Sequence, residues 1–264
     1  MKPKLLPIDW KNYDGPDKIV SSHEMELSMA DRPRSLLSVK SKIPLLDRAV
    51  DGFRTGELIV ISGPTKQGKT LLAQSLTYEF TKQQQFPLWF SYEVPVMQFL
   101  EQFPELPLFF VPQSLRAHAF NWLDDRIEEA HAKYNTRIIF IDHLHYLFDL
   151  AKTRNPSIDI GAVIRRLKSM SVTKEYLIFL LCHTTKGKHA ENLSYESIRD
   201  SSFVSQESDC TIMIHRTPTV AQNAAELLVE FHRRTGVMEV MVPLQKIGGY
   251  LVERTAKEPD EPHY

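Results

Sequence analysis

Gly63-Pro64-Thr65-Lys66-Gln67-Gly68-Lys69-Thr70 decides how this chain is read. It satisfies G-x-x-x-x-G-K-[ST] at each fixed position. Just before it runs Leu58-Ile59-Val60-Ile61, apolar and β-branched, which predicts a buried strand. Residues 71–84 follow with apolar side chains at helical spacing, and Leu72, Leu76 and Phe80 share one face. Strand, glycine-bearing loop and helix N-terminus together make a phosphate cradle. The loop N–H groups converge on phosphate oxygens, and the helix end favours negative charge. Within it Lys69 supplies a point charge for the β- and γ-phosphates, and Thr70 offers a hydroxyl to Mg2+. Gly63, Pro64, Thr65, Lys66, Gln67, Gly68, Lys69 and Thr70 are therefore the candidate nucleotide-binding set.

Outward from the loop, the chain alternates strand and helix patterns. Strands are predicted at 87–92, 108–111, 137–142 and 176–182, and strand-like runs follow at 211–215, 227–232, 237–242 and 250–252. Helices are predicted at 43–50, 96–103, 117–134 and 160–173. In the helix at 117–134, Trp122, Ile127 and Ala130 lie near one face. Strands without polar alternation belong to a parallel sheet covered on both faces, so the fold class is α/β, doubly wound. Residues 1–35, with scattered prolines, read as an arm or linker; residues 36–254 read as one domain; 255–264 read as an acidic, disordered tail.

The 264 residues carry 32 Lys+Arg against 33 Asp+Glu, a net charge of −1, which argues against a broadly basic nucleic-acid surface. The two cysteines, Cys182 and Cys210, sit in or beside apolar runs and read as core thiols of a reducing compartment. No apolar run is long enough for a membrane span, and the N-terminus lacks a signal-peptide core. The expected location is the cytoplasm, or the host compartment that holds replicating DNA.

Polar residues at strand ends carry the chemistry, because in open α/β sheets the C-terminal strand ends line the ligand crevice. Asp142 ends the strand at 137–142 and is the candidate magnesium ligand beside Thr70. Glu93 ends the strand after the P-loop helix. It is placed either to activate the attacking water or as a surface carboxylate. His183 ends the strand at 176–182, placed either to hydrogen-bond a γ-phosphate or as a capped loop histidine. His143 and His145 form an H-x-H pair, but no third and fourth ligand stand near at zinc spacing, so no metal site is expected there. Arg233 and Arg234 precede a Thr235-Gly236 turn and are either solvated or reach a neighbouring subunit's nucleotide. No guanine-specific N-K-x-D signature is present, which favours ATP over GTP.

In their order, these motifs resemble the RecA-like ATPase domain of ring-forming replicative helicases, the DnaB, Twinkle and phage primase–helicase group. The resemblance runs from about Ile43 to Val252. Ile43-Pro44-Leu45-Leu46-Asp47 through Gly56-Glu57-Leu58 is similar to the family's lead-in to the P-loop. Phe90-Ser91-Tyr92-Glu93-Val94-Pro95 resembles the segment bearing the catalytic glutamate, and Ile141-Asp142-His143-Leu144-His145-Tyr146-Leu147 the Walker B segment. Leu181-Cys182-His183-Thr184 resembles the phosphate-sensor segment, with the histidine of the phage-like branch. Ser197-Ile198-Arg199-Asp200-Ser201 through Gln206-Glu207-Ser208-Asp209 is similar to the last shared motif. Ile214-His215-Arg216 is similar to a strand end that places an arginine, here Arg216, near the adenine. His232-Arg233-Arg234-Thr235-Gly236 resembles the finger segment, which makes Arg234 the arginine finger and puts His232 where DnaB-type members carry a lysine.

The resemblance implies a RecA-like P-loop NTPase with a mostly parallel central sheet flanked by helices and extra C-terminal strands. It implies ATP and Mg2+ as cofactors, a homo-oligomer in the form of a hexameric ring, and single-stranded DNA as partner. Glu93, Lys69, His183 and Arg234 would be its catalytic residues. The DNA-contacting loops would be 151–159 and 184–196, with Lys152, Arg154, Lys186 and Lys188 as their permanent cations. The short arm leaves no room for a primase domain, so a primase or another replisome partner would act in trans. Two functions remain open alongside the helicase: a non-translocating regulator or recombinase paralogue of the KaiC/RecA kind, and a helicase accessory or loader.

Overall fold

The apolar runs assemble into one eight-stranded sheet, described here from a computed structural model over residues 9, 11–15, 17–30, 37–147, 156–183, 206–217 and 221–255. Two units are distinguished, Met1–Leu36 and Leu37–Tyr264. In the first, helix α1 (Ser22–Ala30) is capped by a reciprocal box. The Glu24 carboxylate accepts from the Ser21 N–H at 2.8 Å, and the Ser21 hydroxyl accepts from the Glu24 N–H at 3.1 Å.

The second unit opens with a two-stranded ribbon, β1 (Ser38–Val39) and β2 (Phe53–Arg54), around helix α2 (Pro44–Val50). Next come β3 (Leu58–Ser62), α3 (Lys69–Lys82), β4 (Leu88–Ser91), α4 (Val96–Glu101), α5 (Phe120–Tyr134) and β5 (Ile138–Asp142). A 3-10 turn, Leu144–Leu147, leads towards α6 (Pro156–Lys174) and β6 (Leu177–Leu181). The chain closes with β7 (Cys210–Arg216), β8 (Ala224–His232), β9 (Val237–Ile247) and β10 (Tyr250–Glu253). The sheet order is β10-β9-β8-β7-β3-β6-β5-β4. From β7 to β4 the pairings are parallel; β8, β9 and β10 add as antiparallel strands on the other side. This is the mostly parallel sheet with extra C-terminal strands that the resemblance implies.

Period-two geometry sends alternate residues of each central strand to opposite faces. Ile59, Ile61, Trp89, Phe140 and Phe179 enter one core with Leu46 and Val50 of α2 and Leu72, Leu76 and Phe80 of α3. Leu58, Val60, Phe90, Ile139, Ile141, Ile178 and Leu180 enter the other, under α5 and α6. Register lines up Trp89 with Phe140 and Phe140 with Phe179, and the rings stack at 4.6 Å in both pairs. Such pairs contribute about 0.5–1.5 kcal/mol each beyond their burial.

Three local expectations are corrected. Residues 108–111 form no strand, only a single bridge from Phe110 to Leu88, because Pro104, Pro107 and Pro112 withhold ladder donors on both sides. Helix α5 starts at Phe120 and buries Leu123, Ile127 and Ala130, with Trp122 at the edge of that face. Helix α6 starts at Pro156, inside the segment expected to be loop, since proline suits a first helical turn.

Candidate functional site

At the end of β3 the chain turns through Gly63, whose φ is 148°. A Cβ there would lie 2.3 Å from the Ile214 carbonyl oxygen of β7, so only glycine fits. The loop tip at Thr65 and Lys66 is exposed, and Gly68, at φ 107°, caps α3. Lys69 is buried and folds back on its own loop, donating to the Gly63 and Pro64 carbonyls at 2.9 Å each. Burial lowers the Lys69 pKa, and the nearby Glu93 and Asp142 carboxylates oppose that shift.

β5 delivers Asp142 beside this loop. The Thr70 hydroxyl donates to Asp142 Oδ2 at 2.8 Å, and Asp142 Oδ1 is buried with no hydrogen-bond partner. Burial pushes the Asp142 carboxyl up to about 6, with Glu93 adding to the shift and the Thr70 hydrogen bond and Lys69 opposing it. A buried carboxylate with one orphaned oxygen, next to a hydroxyl, is a fitting donor pair for a hard cation such as Mg2+.

Glu93 follows β4 and His183 follows β6, so the strand ends bring both to the same cleft. That cleft, of about 320 Å3, is lined by Lys66, Gly68, Lys69, Thr70, Glu93, Asp142 and His183, with Leu71, Val94 and Gln102 completing the wall. His183 Nε2 lies 3.9 Å and His143 Nδ1 3.8 Å from Glu93 Oε2. Burial, helped by Lys69 and His145, depresses the His183 pKa to about 4. Burial, then His183, His145 and Lys69, depress that of His143 to about 3. Both imidazoles are therefore neutral at pH 7.

An adjoining cleft of about 270 Å3 shares Lys66, Gly68 and Leu71 and extends to Gln67, Arg216, Gln222, Asn223 and Lys246. The Arg216 backbone N–H donates to Gln67 Oε1 at 2.7 Å, and its guanidinium donates to the Gln222 carbonyl at 3.0 Å. Arg216 thus borders the P-loop at Gln67. Asn223, Lys246 and Gln102 carried no signal in the sequence. Strand pairing of β8 with β9 brings the first two in, and no local motif announces it.

Arg234 lies elsewhere. His232 pairs with Cys210, and Cys210 pairs with Ile59 at the start of β3, whereas the P-loop leaves the other end of that strand. At about 3.3 Å per residue the two ends are on the order of 13 Å apart, so Arg234 cannot serve its own loop. Its guanidinium donates to Glu57 Oε1 at 2.7 Å and to the Val50 and Gly52 carbonyls at 2.9 and 2.6 Å. It also lies 3.3 Å from Asp51 Oδ2. His232 is buried, with Nδ1 2.8 Å from the Thr235 hydroxyl and Nε2 3.5 Å from Glu57, so it presents no group outward. Arg233 donates to the Gln206 carbonyl. In the segment resembling the last shared motif, Asp209 accepts from the Leu58 N–H at 2.7 Å and from Lys168 at 2.6 Å. Residues 197–205 of that segment, and Lys152, Arg154, Lys186 and Lys188, lie outside the described residues. No helix among the described residues is long and apolar enough to cross a membrane.

Solved structures share this architecture. A DnaB-like replicative helicase, solved together with a study of its interactions with primase, superposes with a TM-score of 0.72 at 17% identity, over 90% of this chain and 68% of that one. A second solved structure, an ATPase domain on its own, gives 0.71 at 17% identity, over 88% and 96%. A KaiC-like protein from the hyperthermophilic archaeon Pyrococcus horikoshii gives 0.64 at 15% identity, over 83% and 100%. The likeness at these identities is one of fold, and the fold is RecA-like. The sequence itself goes further: across residues 96–247, more than half its length, the chain matches the DnaB-like helicase C terminal domain and belongs to that family.

Proposed function

We propose that this domain hydrolyses ATP at the interfaces of a hexameric ring and uses the cycle to move along single-stranded DNA as a helicase. One observation carries the reading. Lys69, Thr70, Glu93, Asp142 and His183 meet in one cleft at the C-terminal strand ends, while Arg234 stands at the opposite end of the same sheet. Such a half-site is completed by a second copy, which is what a ring supplies. Membership of the DnaB-like helicase family supports the same assembly.

In this reading Gly63 to Thr70 wrap the phosphates with backbone N–H groups, and Lys69 exchanges its two carbonyl partners for phosphate oxygens. Thr70 and Asp142 would hold Mg2+, which would supply positive charge to the phosphates. Glu93 takes the proton of the attacking water. Neutral His183, 3.9 Å from Glu93, hydrogen-bonds the γ-phosphate and reports its departure to the segment that follows β6. Arg216 borders the base, and Arg234, released from Glu57 and α2, enters the neighbour's cleft. Lys152, Arg154, Lys186 and Lys188 contact the strand. A primase supplied in trans is supported by the fold neighbour that was solved for its interactions with primase.

The test is unwinding of a forked duplex by the full chain with ATP and Mg2+, beside Glu93→Gln. Strand separation by the wild type alone supports the helicase. ATP hydrolysis without strand separation under any loading condition points to the regulator reading, and overturns the motor.

A further inference from the structure

We propose that Glu93, His143 and His183 form a binding site for a single transition-metal ion of the zinc class, beside the Thr70–Asp142 pair, whose Asp142 Oδ1 lies 4.0 Å from His143 Nδ1. Their ligand atoms all lie within 4.8 Å of one another. Glu93 Oε2 stands 3.8 Å from His143 Nδ1 and 3.9 Å from His183 Nε2. Bonds of about 2.0–2.1 Å in a tetrahedral zinc site place ligands roughly 3.3–3.5 Å apart. The two Glu93 distances are a few tenths of an ångström longer than this, and Glu93, with 39 % of its side chain exposed, has the freedom to shorten them, while the two imidazole nitrogens, within 4.8 Å, close by turning of the rings.

The neighbouring atoms point the same way. His143 is 9 % exposed, and its Nδ1, the atom that faces Glu93, is buried with no hydrogen-bond partner. The two rings meet edge to face at 4.5 Å rather than exchanging a hydrogen bond. An imidazole nitrogen left dry and unbonded is costly unless something binds it. Two imidazoles and one carboxylate make a borderline-soft donor set, which suits zinc or cobalt and suits magnesium poorly. Thr70 and Asp142 offer only oxygen and keep the hard cation. Three protein ligands leave a fourth position, which the cleft lined by Glu93 and His183 has room to fill with water. The H-x-H pair by itself lacks these partners; strand ends far apart in sequence provide them.

A bound ion occupies the Glu93 carboxylate. If that carboxylate activates water, as proposed above, micromolar zinc then silences hydrolysis even with magnesium in excess. Only this consequence rests on the proposed function, so binding is tested without nucleotide. Cobalt(II) is titrated into the full chain in excess Mg2+ and read by its visible ligand-field bands, with zinc affinity measured by calorimetry. One ion per chain with tetrahedral-type bands is expected. Affinity should fall at least tenfold in His143→Ala and in Glu93→Gln, and hold in His145→Ala; circular dichroism checks that each variant folds. Absence of the bands, or equal affinity in wild type and His143→Ala, overturns the site. With binding established, hydrolysis unaffected by saturating free zinc overturns the inhibitory role.

Discussion

Asp142→Asn removes a buried charge while leaving an oxygen to accept the Thr70 hydrogen bond. The wild-type carboxyl is 2 % exposed, and its pKa rises from 3.8 to about 6. A rise of that size corresponds to about 3 kcal/mol. The sign follows from proton binding. The folded carboxyl holds its proton more tightly than the unfolded one, so the fold loses stability as pH rises from about 4 to 6 and carries the full penalty above that. Asparagine never ionises, so its own fixed cost of burying an amide cancels when two pH values are compared. Between pH 5 and pH 8 the stability of the variant relative to wild type should rise by about 1–1.5 kcal/mol. Urea denaturation with EDTA and no nucleotide measures it. A difference that is the same at both pH values, or one that shrinks at pH 8, would refute the view of Asp142 as a buried carboxylate whose charge costs the fold stability. Adding Mg2+ and nucleotide should stabilise the wild type and leave Asp142→Asn nearly unmoved.

Gly63→Ala puts a Cβ 2.3 Å from the Ile214 carbonyl at a φ of 148° and should cost about 2–4 kcal/mol, with loss of binding to a fluorescent ATP analogue. A melting temperature unchanged from wild type would contradict that packing. Arg234→Ala subunits mixed with wild type should lower ATPase activity at every ratio, because each one deprives a neighbour; activity unmoved by mixing would remove Arg234 from the shared site. Burial pushes the Cys182 thiol up to about 12, and that of Cys210 well above its ordinary value. Neither should react with Ellman's reagent until the protein is unfolded, and rapid labelling of the native chain would show the core wrongly placed.

Much of this was legible because parallel strands buried on both faces read as unbroken apolar runs, and the polar residue after each run is the crevice residue. Asp142, Glu93 and His183 stand at such positions, and the cleft unites them with Lys69 and Thr70. Residues 108–111 misled because apolar content says nothing about donors, and the flanking prolines decide pairing. The partners of Arg234 were not legible: Glu57 and the end of α2 reach it only through the register of β8, β7 and β3. His143 lacks metal-binding partners in its own segment, whereas Glu93 and His183 converge on it from the ends of two other strands. Sequence spacing shows ligands on one element; it does not show ligands that a sheet assembles.

Steady-state ATP hydrolysis, measured with and without single-stranded DNA on the wild type and on Lys69→Ala, tests the central claim most directly. The expected result is magnesium-dependent turnover that single-stranded DNA accelerates several-fold and that Lys69→Ala abolishes. Turnover indifferent to DNA, or surviving in Lys69→Ala, would contradict it.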